Sequence, residues 1–338
     1  MKKPFTALTI VSMILAASLI FADSSGFPTS TLNSSAAAAA VQSTGVALPR
    51  TNIYVLNPDN TILVLTPGAA SFARPIRVTQ VRGNLIGIDF RPADASATIL
   101  YGLTDTGNLY TINLAPPNVG TATLVSTLTT RFGGGFQSLM DFNPVVNALR
   151  LIGSNDQNFA LVNSSGNLDV TAVQTAMTYA AGDTNAGVDP NICGGSYTNN
   201  VPGAANTLFY AIDYDLDTLV TIATVNATGS SNTGGGQLKT IGRLVSSNGT
   251  PINFSPTSDL DIYTAPNGTN SVVGVNGRML FTLDLAQINP SMPLGTNQNI
   301  VVRTILMDEL RNSIDIALSP IPPAVVRKGI FSFDNRRF

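Results

Sequence analysis

The chain has no histidine among its 338 residues. Imidazole is the usual general base near neutral pH, the usual partner of a nucleophilic serine or cysteine, and the commonest transition-metal ligand. The chain also has a single cysteine, Cys193, and a single glutamate, Glu309. A lone cysteine excludes an intrachain disulfide and a thiolate metal site, so we interpret Cys193 as a buried apolar side chain, with an intermolecular disulfide as the alternative. These absences predict a protein that is not an enzyme.

Charge is scarce as well. Charged residues make up 11% of the chain, and 18 Lys and Arg nearly balance 20 Asp and Glu, for a net charge of −2. Such a chain has no basic field to attract nucleic acid, so we expect no nucleic-acid partner. Thr, Ser, Asn, Gly and Val are abundant instead, and they favour strands and turns over helices. The composition therefore predicts an all-β protein.

The N-terminal region has the pattern of a targeting signal. Residues 1–22 combine Lys2 and Lys3 with an apolar run from Phe5 to Phe21, which is typical of a cleavable signal peptide. An uncleaved membrane anchor is the alternative. We predict a secreted or cell-surface protein with no membrane span in the mature chain. Residues 23–50 have no apolar periodicity and are interpreted as a low-complexity linker or tail, or alternatively as a strand that docks on a neighbouring subunit.

A short apolar strand recurs roughly every 50 to 60 residues from Asn52 onward, a spacing typical of propeller blades. Each copy is followed by a polar turn and a second strand, as expected for hairpins. The copies are Ile53–Leu56, Leu100–Leu103, Leu149–Ile152, Phe209–Ile212 and Val272–Val275.

A second motif ends each of the five repeats. In the first four repeats it is followed by the strand that opens the next repeat. Five four-stranded units predict a five-bladed β-propeller over residues 51–320, with six blades as the alternative. The copies of the motif are Gly87–Pro92, Leu139–Pro144, Ser196–Asn199, Leu260–Tyr263 and Ser313–Ala317.

Repeat families with the pattern GxxxxP…LYV…VxVID place this motif on the innermost strand of each blade, and we carry that placement over as a resemblance. The chain then enters at the second strand of blade one, and Ser313–Ala317 returns to supply its inner strand. The N- and C-terminal strands would pair and close the ring. Residues 321–338 form a C-terminal tail with a possible extra strand, Ile330–Phe333, that packs on its own domain or pairs with another subunit.

The segments IYVLNPDNTILVL, LIGIDFRP, LYGLTDTGNLYTINL and LDIY resemble the secreted family known as domain of unknown function 4394, over about residues 51 to 318. The first two units match closely, whereas blades four and five depart by insertion and by drift of the motif. The resemblance implies the fold and export. It implies no mechanism, because the family has no established activity or catalytic residues.

An acidic position recurs on the predicted inner strands, at Asp89, Asp141, Asp261 and Asp315, with Thr198 at the matching position of blade four. One interpretation is a ring of oxygen ligands for a hard cation such as calcium. The other is that each aspartate accepts hydrogen bonds from the backbone of a neighbouring blade. We favour the second, because the ring radius should hold the acids too far apart for all of them to reach one ion.

Two irregular segments could carry binding loops: a long excursion through Gly182–Gly195 and a glycine-rich insertion at Gly229–Gly236. Asp213–Asp217 has the alternating acids of a calcium loop but lies where other blades have a hairpin turn, so we interpret it as a turn. We expect an exported, non-catalytic structural or adhesive subunit that assembles with itself or with a cell-surface partner through its tails. A propeller that binds a glycan or another ligand is the alternative, and a metal-dependent carboxylate enzyme is the least favoured.

Overall fold

The computed structural model describes residues 47–320, except residues 70, 95–97 and 163–167. The predicted signal peptide (1–22), the C-terminal tail (321–338) and all of the predicted linker before residue 47 lie outside the described residues. The described chain is built from β-strands, and its helical content is limited to short 3₁₀ turns. The predicted all-β class is therefore confirmed.

Three blades are separate four-stranded antiparallel sheets. In each blade the strands follow one another outward along the chain, except that the last of the described strands supplies the innermost position of blade one. From the inside outward the strands are β21 (Asp315–Leu318), β1 (Ile53–Asn57), β2 (Thr61–Leu65) and β3 (Ile76–Arg77) in blade one; β4 (Leu85–Asp89), β5 (Ile99–Thr104), β6 (Asn108–Asn113) and β7 (Ala122–Thr127) in blade two; β8 (Ser138–Asn143), β9 (Ala148–Gly153), β10 (Asn158–Val162) and β11 (Val170–Val173) in blade three.

The remaining two blades share one sheet. Their outermost strands pair in parallel, from Gly242 opposite Gln298 to Val245 opposite Val301. A short strand that follows blade three also joins this edge. From the inside outward the strands are β13 (Ile192–Tyr197), β14 (Phe209–Asp213), β15 (Thr218–Ile222) and β16 (Gln237–Val245) in blade four; β17 (Asp259–Thr264), β18 (Asn270–Asn276), β19 (Met279–Leu283) and β20 (Gln298–Leu306) in blade five; and β12 (Thr178–Tyr179) against β16. The described strands thus make five four-stranded units.

The hydrophobic core lies between the blades. Five clusters of buried side chains form in the described chain, and each takes its members from two neighbouring blades. Aromatic side chains reach across two of these interfaces: Tyr54 meets Phe90 at 5.2 Å between ring centroids, and Tyr101 meets Phe142 at 5.1 Å. Burial of these faces on both sides of each sheet explains why the strands are almost continuously apolar.

The ends of the propeller are joined in one blade. Strand β21 pairs antiparallel with β1, from Ile53 opposite Leu318 to Leu56 opposite Asp315. Beyond the strands, the Thr51 hydroxyl donates to the carbonyl of Ser319 at 2.6 Å. The predicted closure by pairing of the terminal strands is confirmed.

The outermost strands of blades one and three are short. In blade one, β3 has only two residues, because Thr79 pairs with Thr121 of blade two and Gln80 adopts a φ of 64°. In blade three, β11 ends at Val173, and the chain then crosses to β16 of the next blade. Local propensity does not reveal either feature, since both depend on pairing between blades.

Candidate functional site

The five innermost strands, β4, β8, β13, β17 and β21, surround the axis of the ring. Strand register defines two levels of side chains on them. The upper level holds the residues paired with Tyr101, Arg150, Tyr210, Val273 and Tyr54, which are Asp89, Asp141, Ser196, Asp261 and Ala317. The lower level lies two residues earlier and contains Gly87, Leu139, Gly194, Asp259 and Asp315.

This register corrects two positions of the predicted acidic ring. Ser196, and not Thr198, matches Asp89 in blade four, because the connection from β13 to β14 is two residues longer than that from β4 to β5. Asp315 lies one level lower than predicted, and Ala317 takes the upper position on β21. Both errors are shifts of two residues, which keep a side chain on the same face of its strand.

Upper-level aspartates connect successive blades. Asp89 Oδ2 accepts a hydrogen bond from the backbone N–H of Phe142 at 2.7 Å. Asp141 Oδ1 accepts one from the N–H of Tyr197 at 3.1 Å. Each carboxylate therefore satisfies a backbone donor on the next inner strand that has no partner within its own sheet.

Asp261 continues the series across the end of the chain. Its Oδ2 accepts from the N–H of Leu318 at 2.6 Å, and its Oδ1 accepts from the Ser196 hydroxyl at 2.9 Å. The same hydroxyl accepts from the N–H of Ile262 at 3.2 Å. Ser196 therefore does for blade four what an aspartate does elsewhere, and Asp261 holds the closing strand β21.

Two lower-level aspartates add further bonds between blades. Asp259 accepts from the N–H groups of Gly195 and Ile316, both at 3.1 Å. Asp315 Oδ1 accepts from the N–H of Ile88 at 2.9 Å, which links the last strand to blade two. Side-chain hydrogen bonds thus run around the whole ring from one inner strand to the next.

Three of the four predicted ligands meet at the axis. One carboxylate oxygen from each of Asp89, Asp141 and Asp261 lies within 4.8 Å of the other two. Asp315, the fourth predicted ligand, is not part of this group of three. The inner strands therefore bring three carboxylate oxygens closer together than we expected from the radius of the ring.

Two glycines make room for the lower-level acids. A Cβ on Gly87 would lie 2.7 Å from Met140 Cβ and 3.2 Å from Asp315 Oδ2. A Cβ on Gly194 would lie 2.4 Å from Asp259 Cα. Real Cβ atoms do not approach other atoms so closely, so a side chain at either position would force the inner strands apart.

The five carboxyl groups are held in an unfavourable electrostatic setting. All are buried, with at most 3% of their surface exposed. Burial raises the pKa of each carboxyl group. Charge repulsion raises three of these pKa values further: Asp261 repels Asp89, Asp89 repels Asp141, and Asp259 repels Asp315. The pKa of Asp261 is raised to about 6 by burial. Hydrogen bonds from Leu318 and Ser196 lower this pKa, but burial has the larger effect.

No cation offsets this charge in the described part of the chain. The hydrogen-bond partners of the five carboxylates are backbone N–H groups and a hydroxyl, and the ion pairs Arg243–Asp217 and Arg278–Asp308 lie elsewhere. Asp315 Oδ2 is buried and has no hydrogen-bond partner at all. The cluster is thus incomplete as a set of hydrogen bonds, since a buried polar atom normally has a partner.

Sequence reasoning missed two members of the cluster. Asp259 is separated from Asp261 by one residue, and period-two alternation puts both on one face of β17. That signal was present in the sequence. Ser196 was missed because counting from the next Tyr-containing strand selected Thr198. The Thr198 hydroxyl accepts from the N–H of Leu208 at 2.8 Å in the connection that follows β13.

A second buried polar network surrounds Arg150, which no sequence pattern indicated. Its guanidinium donates to Asn158 Oδ1 at 2.6 Å, to Thr233 Oγ1 at 2.9 Å and to the Tyr197 hydroxyl at 3.2 Å, and it also contacts Gln174 Oε1. Thr233 belongs to the glycine-rich insertion. The insertion is therefore bonded to the interior through Thr233, which contacts Arg150 and also Asn158 and Tyr197.

The other predicted features are structural in the described chain. Asp183 of the blade three excursion accepts from the N–H and the hydroxyl of Thr240 at 2.8 and 2.7 Å, which fixes the excursion against β16. Asp213–Asp217 spans a hairpin turn between β14 and β15, and Asp213 accepts from backbone N–H groups within that turn. Cys193 is 1% exposed in the core between blades four and five.

The ring of radially arranged four-stranded sheets, closed by its terminal strands, defines a β-propeller protein. The chain belongs to the family described as Domain of unknown function (DUF4394), whose profile matches residues 34–299. Comparison with curated proteins finds no match. Among the described residues, no helix has the length and apolar character needed to cross a membrane.

Solved structures with a similar fold are distant in sequence. A Bacteroides thetaiotaomicron protein of unknown function is 11% identical, with 79% of this chain and 66% of that one covered and a TM-score of 0.42. The Cps50 (Swd1) β-propeller domain of Myceliophteria thermophila is 11% identical over 74% of this chain and 72% of that one, with a TM-score of 0.37.

A humanized mutant of the Chaetomium thermophilum Polycomb Repressive Complex 2 is 12% identical over 70% of this chain and 53% of that one, with a TM-score of 0.38. The chain spans about half the length of the Polycomb chains it matches. These similarities carry no information on function.

Proposed function

We propose that this protein is an exported, non-catalytic β-propeller that serves as an extracellular structural or adhesive subunit and assembles through its terminal segments. The observation that carries the proposal is the joint between the ends of the propeller. Thr51 and Ser319 are hydrogen-bonded there, and the Ser319 N–H donates to the carbonyl of Asn52 at 3.0 Å. The segments 1–46 and 321–338 therefore connect to the propeller at one place.

An apolar groove of about 340 Å³ lies beside this joint. Leu48, Pro49, Ile53, Leu65 and Pro67 are among the residues that line it. A segment that leaves the propeller after Pro320 starts next to this groove, and the C-terminal sequence Ile330–Phe333 has the alternating apolar residues that such a surface binds. We assign the groove to the C-terminal segment of a second copy of the chain.

The chemistry of the described residues supports a non-catalytic role. The carboxylates at the axis are buried and already accept backbone hydrogen bonds, so a substrate cannot reach them without opening the ring. Burial raises the pKa of the Cys193 thiol well above its usual value, which disfavours the reactive thiolate. With no histidine in the chain, neither group has the usual base to activate it.

Truncation tests the proposal. The full chain and two forms lacking residues 23–50 or 321–338, each with residues 1–22 retained, are expressed for export and compared by gel filtration, electron microscopy and circular dichroism. We expect the full chain to be exported and to assemble, and at least one truncated form to remain folded as a monomer. Assembly that survives both deletions, or a full chain that is monomeric, contradicts the proposal.

A further inference from the structure

We propose that the axis of the propeller is a calcium site, in which Asp89, Asp141 and Asp261 supply the first ligands and Asp315 supplies a further carboxylate. The site would hold the ion inside the closed ring. It is independent of the terminal segments, because all four residues lie on the inner strands β4, β8, β17 and β21.

The spacing of the oxygens fits one calcium ion. Calcium binds oxygen ligands at 2.3–2.6 Å, so two ligands on opposite sides of the ion are about 4.6–5.2 Å apart. Oxygens of Asp89, Asp141 and Asp261 that lie within 4.8 Å of one another can therefore contact a single ion without moving the strands. Magnesium requires shorter distances in a regular octahedron and retains several waters, which a fully buried site does not favour.

The charge of the cluster requires compensation. Five carboxylates, including Asp259, lie on four of the five inner strands, β4, β8, β17 and β21. None of them has a Lys or Arg partner among the described residues. Isolated buried carboxylates are costly, so they are neutralised by protons, by paired cations or by a metal. A divalent ion would neutralise this charge and would also be contacted by the three oxygens of Asp89, Asp141 and Asp261 that lie close together.

The carboxyl group of Asp315 supports the site independently of the short distances among Asp89, Asp141 and Asp261. Its Oδ1 accepts from Ile88, while its Oδ2 is completely buried and has no hydrogen-bond partner. Oδ2 lies 3.2 Å from the position that a Cβ on Gly87, on the neighbouring inner strand β4, would take. A buried carboxylate oxygen that has no partner and lies among the inner strands is what a cation site presents when its ligands are considered without the ion.

The ion would have a structural role. Asp89, Asp141 and Asp261 come from blades two, three and five, and Asp315 comes from the strand that closes blade one. One ion would thus connect four blades at the point where their hydrogen-bonded network is incomplete. Because every ligand is buried, we expect the ion to be captured during folding and to exchange slowly afterwards.

Refolding with and without calcium tests the proposal on the full mature chain. The protein is unfolded in guanidinium chloride with a chelator and refolded with CaCl₂, with MgCl₂ or with the chelator alone. Bound metal is then measured by elemental mass spectrometry after gel filtration, and Tm by calorimetry. We expect about one calcium per chain, and a Tm raised by roughly 5–10 °C at a calcium concentration about a thousandfold above Kd.

Asp141→Asn is the informative variant. Its side-chain oxygen can still accept from the Tyr197 N–H, so the hydrogen bond between blades is kept while a charged ligand is lost. We expect the calcium content to fall at least tenfold. We expect the rise in Tm with calcium to fall to near zero. Asp215→Asn is the matched control, because Asp215 is exposed and belongs to the segment whose sequence resembles a calcium loop. It should bind calcium as the unmodified chain does.

The result that overturns the proposal needs no variant. An unmodified chain that refolds with calcium but contains none, and whose Tm does not change, rules out the site. Unchanged calcium binding by Asp141→Asn, or its loss in Asp215→Asn, places the ion elsewhere and also overturns it. An equal or larger effect of magnesium overturns the assignment to calcium. If Asp141→Asn fails to fold, Asp261→Asn serves as the second variant, with the same expected loss.

Discussion

The side chain of Asp315, on the last strand of the propeller, accepts a hydrogen bond from the backbone N–H of Ile88 at 2.9 Å, across 227 residues of sequence. The other oxygen of the same carboxyl has no partner. One side chain thus contributes a bond that holds the ring closed and a buried charge that opposes it.

These two contributions can be separated by substitution. Asp315→Ala leaves the buried Ile88 N–H without an acceptor, so we expect it to lower the free energy of unfolding by about 1–3 kcal/mol in calcium-free buffer. Asp315→Asn keeps an oxygen for Ile88, removes the charge and offers N–H donors to the neighbouring acids. We therefore expect Asp315→Asn to be at least as stable as the unmodified protein in the same buffer. Urea unfolding compares the three proteins, and an asparagine variant as unstable as the alanine variant would contradict this account.

Gly87 is a position where the ring tolerates no side chain. The Cβ of Gly87→Ala would lie 2.7 Å from Met140 Cβ, so the inner strands β4 and β8 would have to separate. Overpacking of this kind costs about 1–3 kcal/mol, which should appear as a lower Tm. Gly133→Ala is the control: Gly133 is exposed, and its new methyl group would meet only the ends of Asn155 and Gln157. Equal Tm values for the two variants would show that the close approach is not rigid.

Arg150 should not be replaceable by lysine. Arg150→Lys retains the charge but cannot reach Asn158, Thr233 and Tyr197 together, which leaves buried polar groups unpaired. We expect a loss of about 2–4 kcal/mol in the free energy of unfolding. Arg243 is the comparison, since its contact with Asp217 is 3.9 Å long and half exposed. Arg243→Lys should change stability by less than about 0.5 kcal/mol, and a similar loss in both variants would argue against the network.

Asp156 predicts a pH dependence far from the axis. Burial and the nearby Asp189 raise its pKa from 3.8 to about 6. A carboxyl whose pKa is higher in the folded state binds its proton more tightly there, so stability falls as the pH rises from about 4 to about 6. Asp156→Asn should remove this part of the Tm profile, and its φ of 63° suits asparagine. A profile that is unchanged in the variant would exclude Asp156 as the source.

Cys193 should be unreactive in the folded protein. It is 1% exposed, and burial raises the pKa of its thiol. We expect no labelling by a thiol reagent in native buffer and labelling of one thiol per chain in guanidinium chloride. Rapid labelling of the native protein, or a disulfide-linked dimer on a non-reducing gel, would contradict the burial and support the alternative of an intermolecular disulfide.

The fold was largely predictable because each blade repeats the same local signals. Copies such as Leu100–Leu103 and the turns that follow them specify hairpins without reference to the rest of the chain. The return of the last motif to β1 was predicted from the resemblance to repeat families that place this motif on the inner strand, because a chain that enters blade one at its second strand leaves the inner position open. The crossing of β12 to β16 and the parallel pairing of β16 with β20 could not, because each depends on how two blades meet.

The candidate site was predicted only in part. Asp89, Asp141 and Asp261 were found from the repeat itself, and they are the three acids that converge. Thr198 was predicted in place of Ser196, because distance along the sequence does not account for the longer connection from β13 to β14. Asp315 was placed one level too high, because its partner strand β1 lies at the other end of the chain and supplies no such distance. The closeness of the three oxygens could not be predicted either, because it depends on how near the inner strands of different blades approach the axis, which no local sequence pattern specifies.

The bond between Thr51 and Ser319 spans 268 residues, and it has a consequence for the order of events during synthesis. Strands β1 and β2 are made first, yet blade one cannot complete its sheet until β21 has been made at the far end of the propeller. Contacts between such distant parts of a chain form slowly, because the entropy of closing the loop must be overcome before the contact stabilises anything. The first blade to be synthesised is therefore the last to be finished.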